Sequence, residues 1–255
     1  MLDMHPPILG SRTSRHRFLC LAAAGAGLLT STLALAATQP APGIAANCPA
    51  HATAVVEHFI GADCLDCWQA RPPAAGAGPV SDSEWAIDWI VPATDAAAMA
   101  AGALPEAADR LARLGPYLPA KLATPPAAFD AHTVLDPPAA RRRFYVHSSL
   151  PHSGYMAVQM HATGAWPQGS SGWIALVELI PVGVRDTVIP RQLVRVLVGP
   201  LKLPAGAGAK DAVAPLYALR WPENAHAENL VATAWIENAD GRITQMASDR
   251  CADPK

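Results

Sequence analysis

Charged side chains are scarce in this sequence. They make up 16% of its 255 residues against 51% hydrophobic ones, which excludes a solvated acidic or basic tail and predicts a chain that folds. A surplus of one sign is missing too: the net charge is −2, so no global attraction draws the chain to nucleic acid or to an anionic membrane. There is no glycine-rich phosphate loop, no H-E-x-x-H and no G-x-S-x-G, which leaves hydrolase and nucleotide-binding readings without an anchor and calls for no cofactor. Nor is there a repeat of fixed period. The 25 prolines and 18 glycines, spread without period, exclude collagen and long coiled coil. What remains is a chain of short elements joined by proline-bounded loops, long enough for one or two domains.

The amino-terminal stretch reads as an export segment. Arg12, Arg15 and Arg17 precede an apolar run from Phe18 to Leu35, and Ala34-Leu35-Ala36 offers a small-x-small cleavage pattern. Gly25, Gly27, Thr30, Ser31 and Thr32 interrupt the run, so a cleaved signal over residues 1–36 is expected rather than a lasting membrane anchor. The location that follows is periplasmic or secreted. Cleavage removes Asp3 and three arginines, leaving a mildly acidic mature chain, and takes Cys20 with it. Residues 37–47 (ATQPAPGIAAN) read as a linker.

Four cysteines stay behind: Cys48, Cys64, Cys67 and Cys251. In an oxidising compartment they allow three pairings. Adjacency favours Cys64 with Cys67, which leaves Cys48 and Cys251 to tie the two ends, a link worth about 5 kcal/mol in the chain-entropy view.

Further along, Ala54 to Ile60 is a β-branched and aromatic run bounded by Gly61, and it predicts a buried strand. A helix opening at Cys64 is stopped within about two turns by Pro72-Pro73. Glu84 to Val91 predicts a second strand, stopped by Pro92. Asp95 to Leu114 has helical spacing, with Leu104, Ala108, Leu111 and Leu114 on one face and Pro105 suited to a first turn. Residues 121–129 predict a third strand, entered through a proline turn. From Arg143 onward β-rich runs dominate, at 144–148, 155–162, 173–180, 192–198, 216–221, 230–237 and 242–248, with Asn238-Ala239-Asp240-Gly241 as a hairpin connection. That half predicts an antiparallel sheet or small sandwich.

The chemistry is concentrated in Cys64-Leu65-Asp66-Cys67. A helix starting at Cys64 would set unpaired N–H groups and a positive dipole end beside that sulfur, favouring the thiolate, which is the attacking species. The two-residue spacing lets Cys67 resolve a mixed disulfide formed at Cys64. Asp63 and Asp66 oppose this, because neighbouring negative charge disfavours the thiolate. A redox-active pair, a structural Cys64–Cys67 disulfide and a metal site all fit a lone C-x-x-C.

Val55-Val56-Glu57-His58-Phe59 running into Cys64-x-x-Cys67 resembles the opening of the bacterial secreted thioredoxin-like proteins grouped as a domain of unknown function. Thr124-Pro125 is similar to that family's Thr-Pro before its third strand, and residues 189–200 and 231–241 resemble its β-rich end. The resemblance implies a thioredoxin-like α/β first half over residues 48–140 and an antiparallel β-rich, sandwich-like second half over 141–255. It also implies thiol–disulfide exchange on protein thiols or disulfides, with Cys64 as nucleophile, Cys67 as resolving thiol and Pro125 shaping the substrate groove. The alternative is a non-enzymatic secreted structural or binding protein in which the same pair only staples the fold.

Other residues have plainer readings. His147, His152, Met156, Met160 and His161 with His58 and the two cysteines suggest a soft copper site on composition. Strand alternation instead sends Met156 and Met160 to the core and Tyr155, Gln159 and His161 to the surface, so no metal is assigned. Trp85, Trp89, Trp173, Trp221 and Trp235 read as core packing, and Arg141-Arg142-Arg143 as a solvated strand edge.

Overall fold

Short β-branched runs bounded by glycine or proline become strands close to where the sequence breaks them. The computed structural model describes residues 52–69, 84–115, 127–137, 142–203, 212–213 and 216–249. The strands are β1 (Ala54–Gly61), β2 (Glu84–Val91), β3 (Ala128–Val134), β4 (Arg143–Ser148), β5 (Tyr155–Thr163), β6 (Ser171–Ile180), β7 (Arg191–Lys202), β8 (Ala212–Val213), β9 (Tyr217–Arg220), β10 (Leu230–Glu237) and β11 (Ile243–Ser248). The α-helices among the described residues are α1 (Leu65–Gln69) and α2 (Pro105–Arg113).

Seven strands form one mixed sheet in the order β11-β10-β6-β7-β2-β1-β3. β1 lies parallel to β2, and β2 meets β7 in parallel at Asp88 and Leu193; the other neighbours are antiparallel. A four-stranded sheet is built on β5, flanked by β4 on one side and by β8 and β9 on the other.

β6 shows how the layers close. It is buried almost end to end, as a strand covered on both faces must be. Ile174 and Leu176 join Val146, Met156, Val158 and Met160 of the small sheet in one apolar cluster. Trp173, Ala175 and Val177 point the other way, into a cluster with Val55, Phe59, Trp89 and Trp235 that also holds Ala107 of α2. Period-two alternation thus puts the small sheet over one face and α2 over the other. Trp89 anchors the second cluster, lying parallel to Phe59 and edge-on to Trp235. The tryptophans there pack as core, as alternation predicts.

These observations correct the expected fold class. The first half is not a thioredoxin-like α/β unit: the helix after Cys64 has five residues, and β1, β2 and β3 are part of the same sheet as β6, β7, β10 and β11. The strands of the second half divide between the two sheets, which pack face to face, and the larger sheet continues into β1, β2 and β3, so that half does not stand alone. The physical reason is non-local. β2 finds its second neighbour in β7, a hundred residues onward, so the sheet grows across the middle of the sequence rather than closing locally.

Two elements shift from expectation. The helix predicted over 95–114 is α-helical only from Pro105, which takes the first-turn position, with a 3-10 turn at Ala100–Gly102 before it. Its buried face is Ala107, Arg110 and Leu114, while Ala108 is exposed. The third strand runs from Ala128 to Val134 rather than over 121–129, and residues 116–126 lie outside the described residues.

The sheet leaves little slack at Gly199. A Cβ there would collide with the Trp173 indole, itself buried under the Arg113 guanidinium at 4.5 Å. Gly199→Ala is therefore expected to lose roughly 1–3 kcal/mol of stability, read as a lower urea midpoint at unchanged slope.

Candidate redox site

β1 ends at Gly61, whose carbonyl accepts the Cys64 N–H at 2.9 Å, and the Ala62 N–H is held by the Val91 carbonyl of β2 at 2.9 Å. This turn carries the chain straight into α1. Cys64 and Cys67 are joined by a disulfide, with Cα atoms 5.3 Å apart. The pairing expected from adjacency is therefore present, while Cys48 and Cys251 lie outside the described residues. Both bonded cysteines are half-buried, and Asp63, Leu65 and Asp66 around them are exposed. Cys67 packs against the apolar cluster of Ile60, Trp68, Ile90 and Leu193.

With five residues, α1 builds up little axial dipole, so the dipole argument for a thiolate at Cys64 falls away. What distinguishes the helix is how its far end is held. Arg191, at the start of β7, donates from Nη2 to the carbonyls of Cys67 at 2.9 Å and Trp68 at 2.7 Å. The Gln69 carbonyl accepts the Val188 N–H at 3.0 Å. Three carbonyls that a helix end leaves orphaned are thus all satisfied. The Arg191 guanidinium also lies over the Trp68 ring at 5.2 Å, and the Trp68 indole donates to the Arg185 carbonyl at 2.8 Å.

Arg191 is itself fixed from below. Its Nη1 donates to Asp88 Oδ1 at 2.9 Å, and the other Asp88 oxygen accepts the Gln192 N–H at 2.6 Å. Asp88 and Arg191 are both almost fully buried. The disulfide turn therefore rests on a buried ion pair joining β2 to β7. Sequence reasoning missed this support. The available signals were a single aspartate inside the apolar strand Glu84–Val91 and an arginine at the head of another apolar run.

The other expected site residues are scattered. Pro125 lies outside the described residues. His58 is on β1, across from Asp88 and Asp130 in the sheet register, and shares a hydrogen bond of 2.6 Å with Asp130. Met156 and Met160 are buried whereas His161 sits on the opposite face of β5, so the copper grouping suggested by composition is not assembled. Among the described residues no group of three or more histidine, cysteine, aspartate or glutamate side chains is placed to hold a metal ion.

Comparison with known proteins adds one likeness of shape. No family model matches the sequence, and no curated protein does. A solved structure, HBP35 of Porphyromonas gingivalis, superposes with a TM-score of 0.49 over 78% of this chain and 74% of that one, at 7% identity. At that score the likeness carries no argument about activity. Among the described residues no helix is long and apolar enough to cross a membrane.

Proposed function

We propose that the protein exchanges thiols and disulfides with polypeptide partners through Cys64 and Cys67, in the exported setting implied by its amino-terminal segment. The observation that carries this reading is the support beneath the pair. Arg191, the Trp68 indole and the Val188 N–H hold the turn by contacts that do not pass through the sulfur–sulfur bond. A disulfide closing so small a loop contributes only about 2 kcal/mol in the chain-entropy view. The bond can open and close on a fixed framework, as a reversible couple requires and a staple does not.

In the reducing direction the Cys64 thiolate attacks one sulfur of a partner disulfide and expels the other as a thiolate. The Cys67 thiolate then attacks the Cys64 sulfur, releases the second partner thiol and leaves the Cys64–Cys67 disulfide. Two electrons pass to the partner, and an external dithiol resets the pair. Cys64 is given the attacking role because Cys67 is the cysteine packed against the Ile60 and Trp68 cluster. The exposed carboxylates of Asp63 and Asp66 disfavour a thiolate there, which makes a strongly oxidising pair unexpected.

The test is a redox titration against glutathione with an insulin-reduction assay. Wild type is expected to equilibrate with glutathione at a potential above about −300 mV and to reduce insulin, with both lost in Cys64→Ser. A potential well below that value together with no insulin reduction would establish the structural staple instead.

A further inference from the structure

We propose that the outward face of the four-stranded sheet carries a site for a late transition-metal ion, Cu²⁺ or Zn²⁺, held by the imidazoles of His147 and His161. The two histidines come from neighbouring strands. In the β4–β5 register Tyr145 faces His161 and His147 faces Gln159, so the pair lies diagonally on one side of the ladder. The buried side chains of β5, Met156, Val158 and Met160, all take the opposite side.

The geometry fits chelation. The ring centroids of His147 and His161 are 5.7 Å apart, with the planes at 73°. With metal–nitrogen bonds of about 2.0–2.1 Å, two imidazoles on one ion place their ring centres roughly 5–6 Å apart for angles near or somewhat above tetrahedral. Tyr145 restrains both rings, lying face to face with His161 at 4.5 Å and edge-on to His147 at 5.1 Å. Side chains already held in place lose less freedom when a ligand arrives.

Two imidazoles leave positions on the ion for water, so the site is open. Imidazole donors suit copper and zinc, with copper the tighter of the two in the usual affinity order. This site is separate from the disulfide, and its test does not depend on the activity of that pair.

Cu²⁺ or Zn²⁺ alone is titrated into the untagged, thiol-alkylated protein with its disulfide intact, against a chromogenic chelator. One equivalent is expected to bind, copper more tightly than zinc. His147→Ala and His161→Ala are each expected to weaken binding at least about tenfold, the loss that even outer-shell changes bring to metal sites. Both rings stand outside the core, and a circular dichroism spectrum checks that each variant folds. His132, on β3 and paired with Glu84 at 2.7 Å, serves as control, and His132→Ala should bind like wild type. Binding that survives His161→Ala, or an equal loss in His132→Ala, or no binding by wild type, would overturn the assignment.

Discussion

Arg110→Ala is expected to remove about 3–5 kcal/mol of stability, a large part of what a domain of this size possesses. The side chain is fully buried between α2 and the large sheet. Its Nε and Nη2 grip the Glu57 carboxylate at 2.8 and 2.6 Å, and Nη1 donates to the Gly241 carbonyl at 2.6 Å. Glu237 approaches the same Nη1 at 3.2 Å and also meets Arg113 at 3.4 Å. Two indoles close the network, Trp89 donating to Glu57 at 3.2 Å and Trp235 to Glu237 at 3.0 Å. Burial alone would push the Arg110 pKa down, but the charge and hydrogen bonds of Glu57, joined by Glu237, outweigh it and raise it, so the cation persists.

Alanine would leave the Glu57 carboxylate buried with a single indole donor, and that uncompensated charge is the main part of the cost. The pair Glu57→Gln with Arg110→Met removes both charges together and is expected to cost less than the sum of the single changes. Urea unfolding of the four proteins measures this directly. A loss below about 1 kcal/mol in Arg110→Ala would mean that water reaches the network and screens it.

The same network explains where reading the sequence stopped short. β2 was legible to the residue, because a run with two tryptophans, two isoleucines and a valine is cut by Pro92. The β10–β11 hairpin was legible from Asn238 to Gly241, whose left-handed φ of 81° suits glycine. The inward face of α2 was not. Leucine spacing selects Leu104, Ala108, Leu111 and Leu114, yet the helix turns Arg110 inward to meet a glutamate 53 residues earlier. Periodicity counts an arginine as solvent-facing and carries no information about a partner that far away.

The fold class failed for a related reason. A strand leading into C-x-x-C is a local signal, but whether helices or strands complete the structure depends on pairings such as β2 with β7. The disulfide pair itself was legible, since a three-residue step between cysteines is visible in any sequence. Its support was not, because Asp88 and Arg191 are 103 residues apart.

That support yields the second large effect. Arg191→Met keeps much of the apolar stem and deletes the charge, so Asp88 loses its counter-ion and keeps the Gln192 N–H. Stability is expected to fall by about 3 kcal/mol, the lower end for breaking a buried pair. The disulfide turn loses the donor to the Cys67 and Trp68 carbonyls at the same time. Hydrogen bonds from a charged donor contribute roughly 1.5–3 kcal/mol each, so fraying of α1 should become at least about tenfold more frequent. Reduction of Cys64–Cys67 by a small dithiol should then speed up by a similar factor. Arg191→Lys separates the two consequences: an ammonium restores a charge opposite Asp88 but lacks the planar fork that reaches both carbonyls. Its stability should return most of the way while its disulfide stays as quickly reduced as in Arg191→Met. Equal reduction rates in wild type and both variants would show that the turn is held by Trp68 and Val188 without help from Arg191.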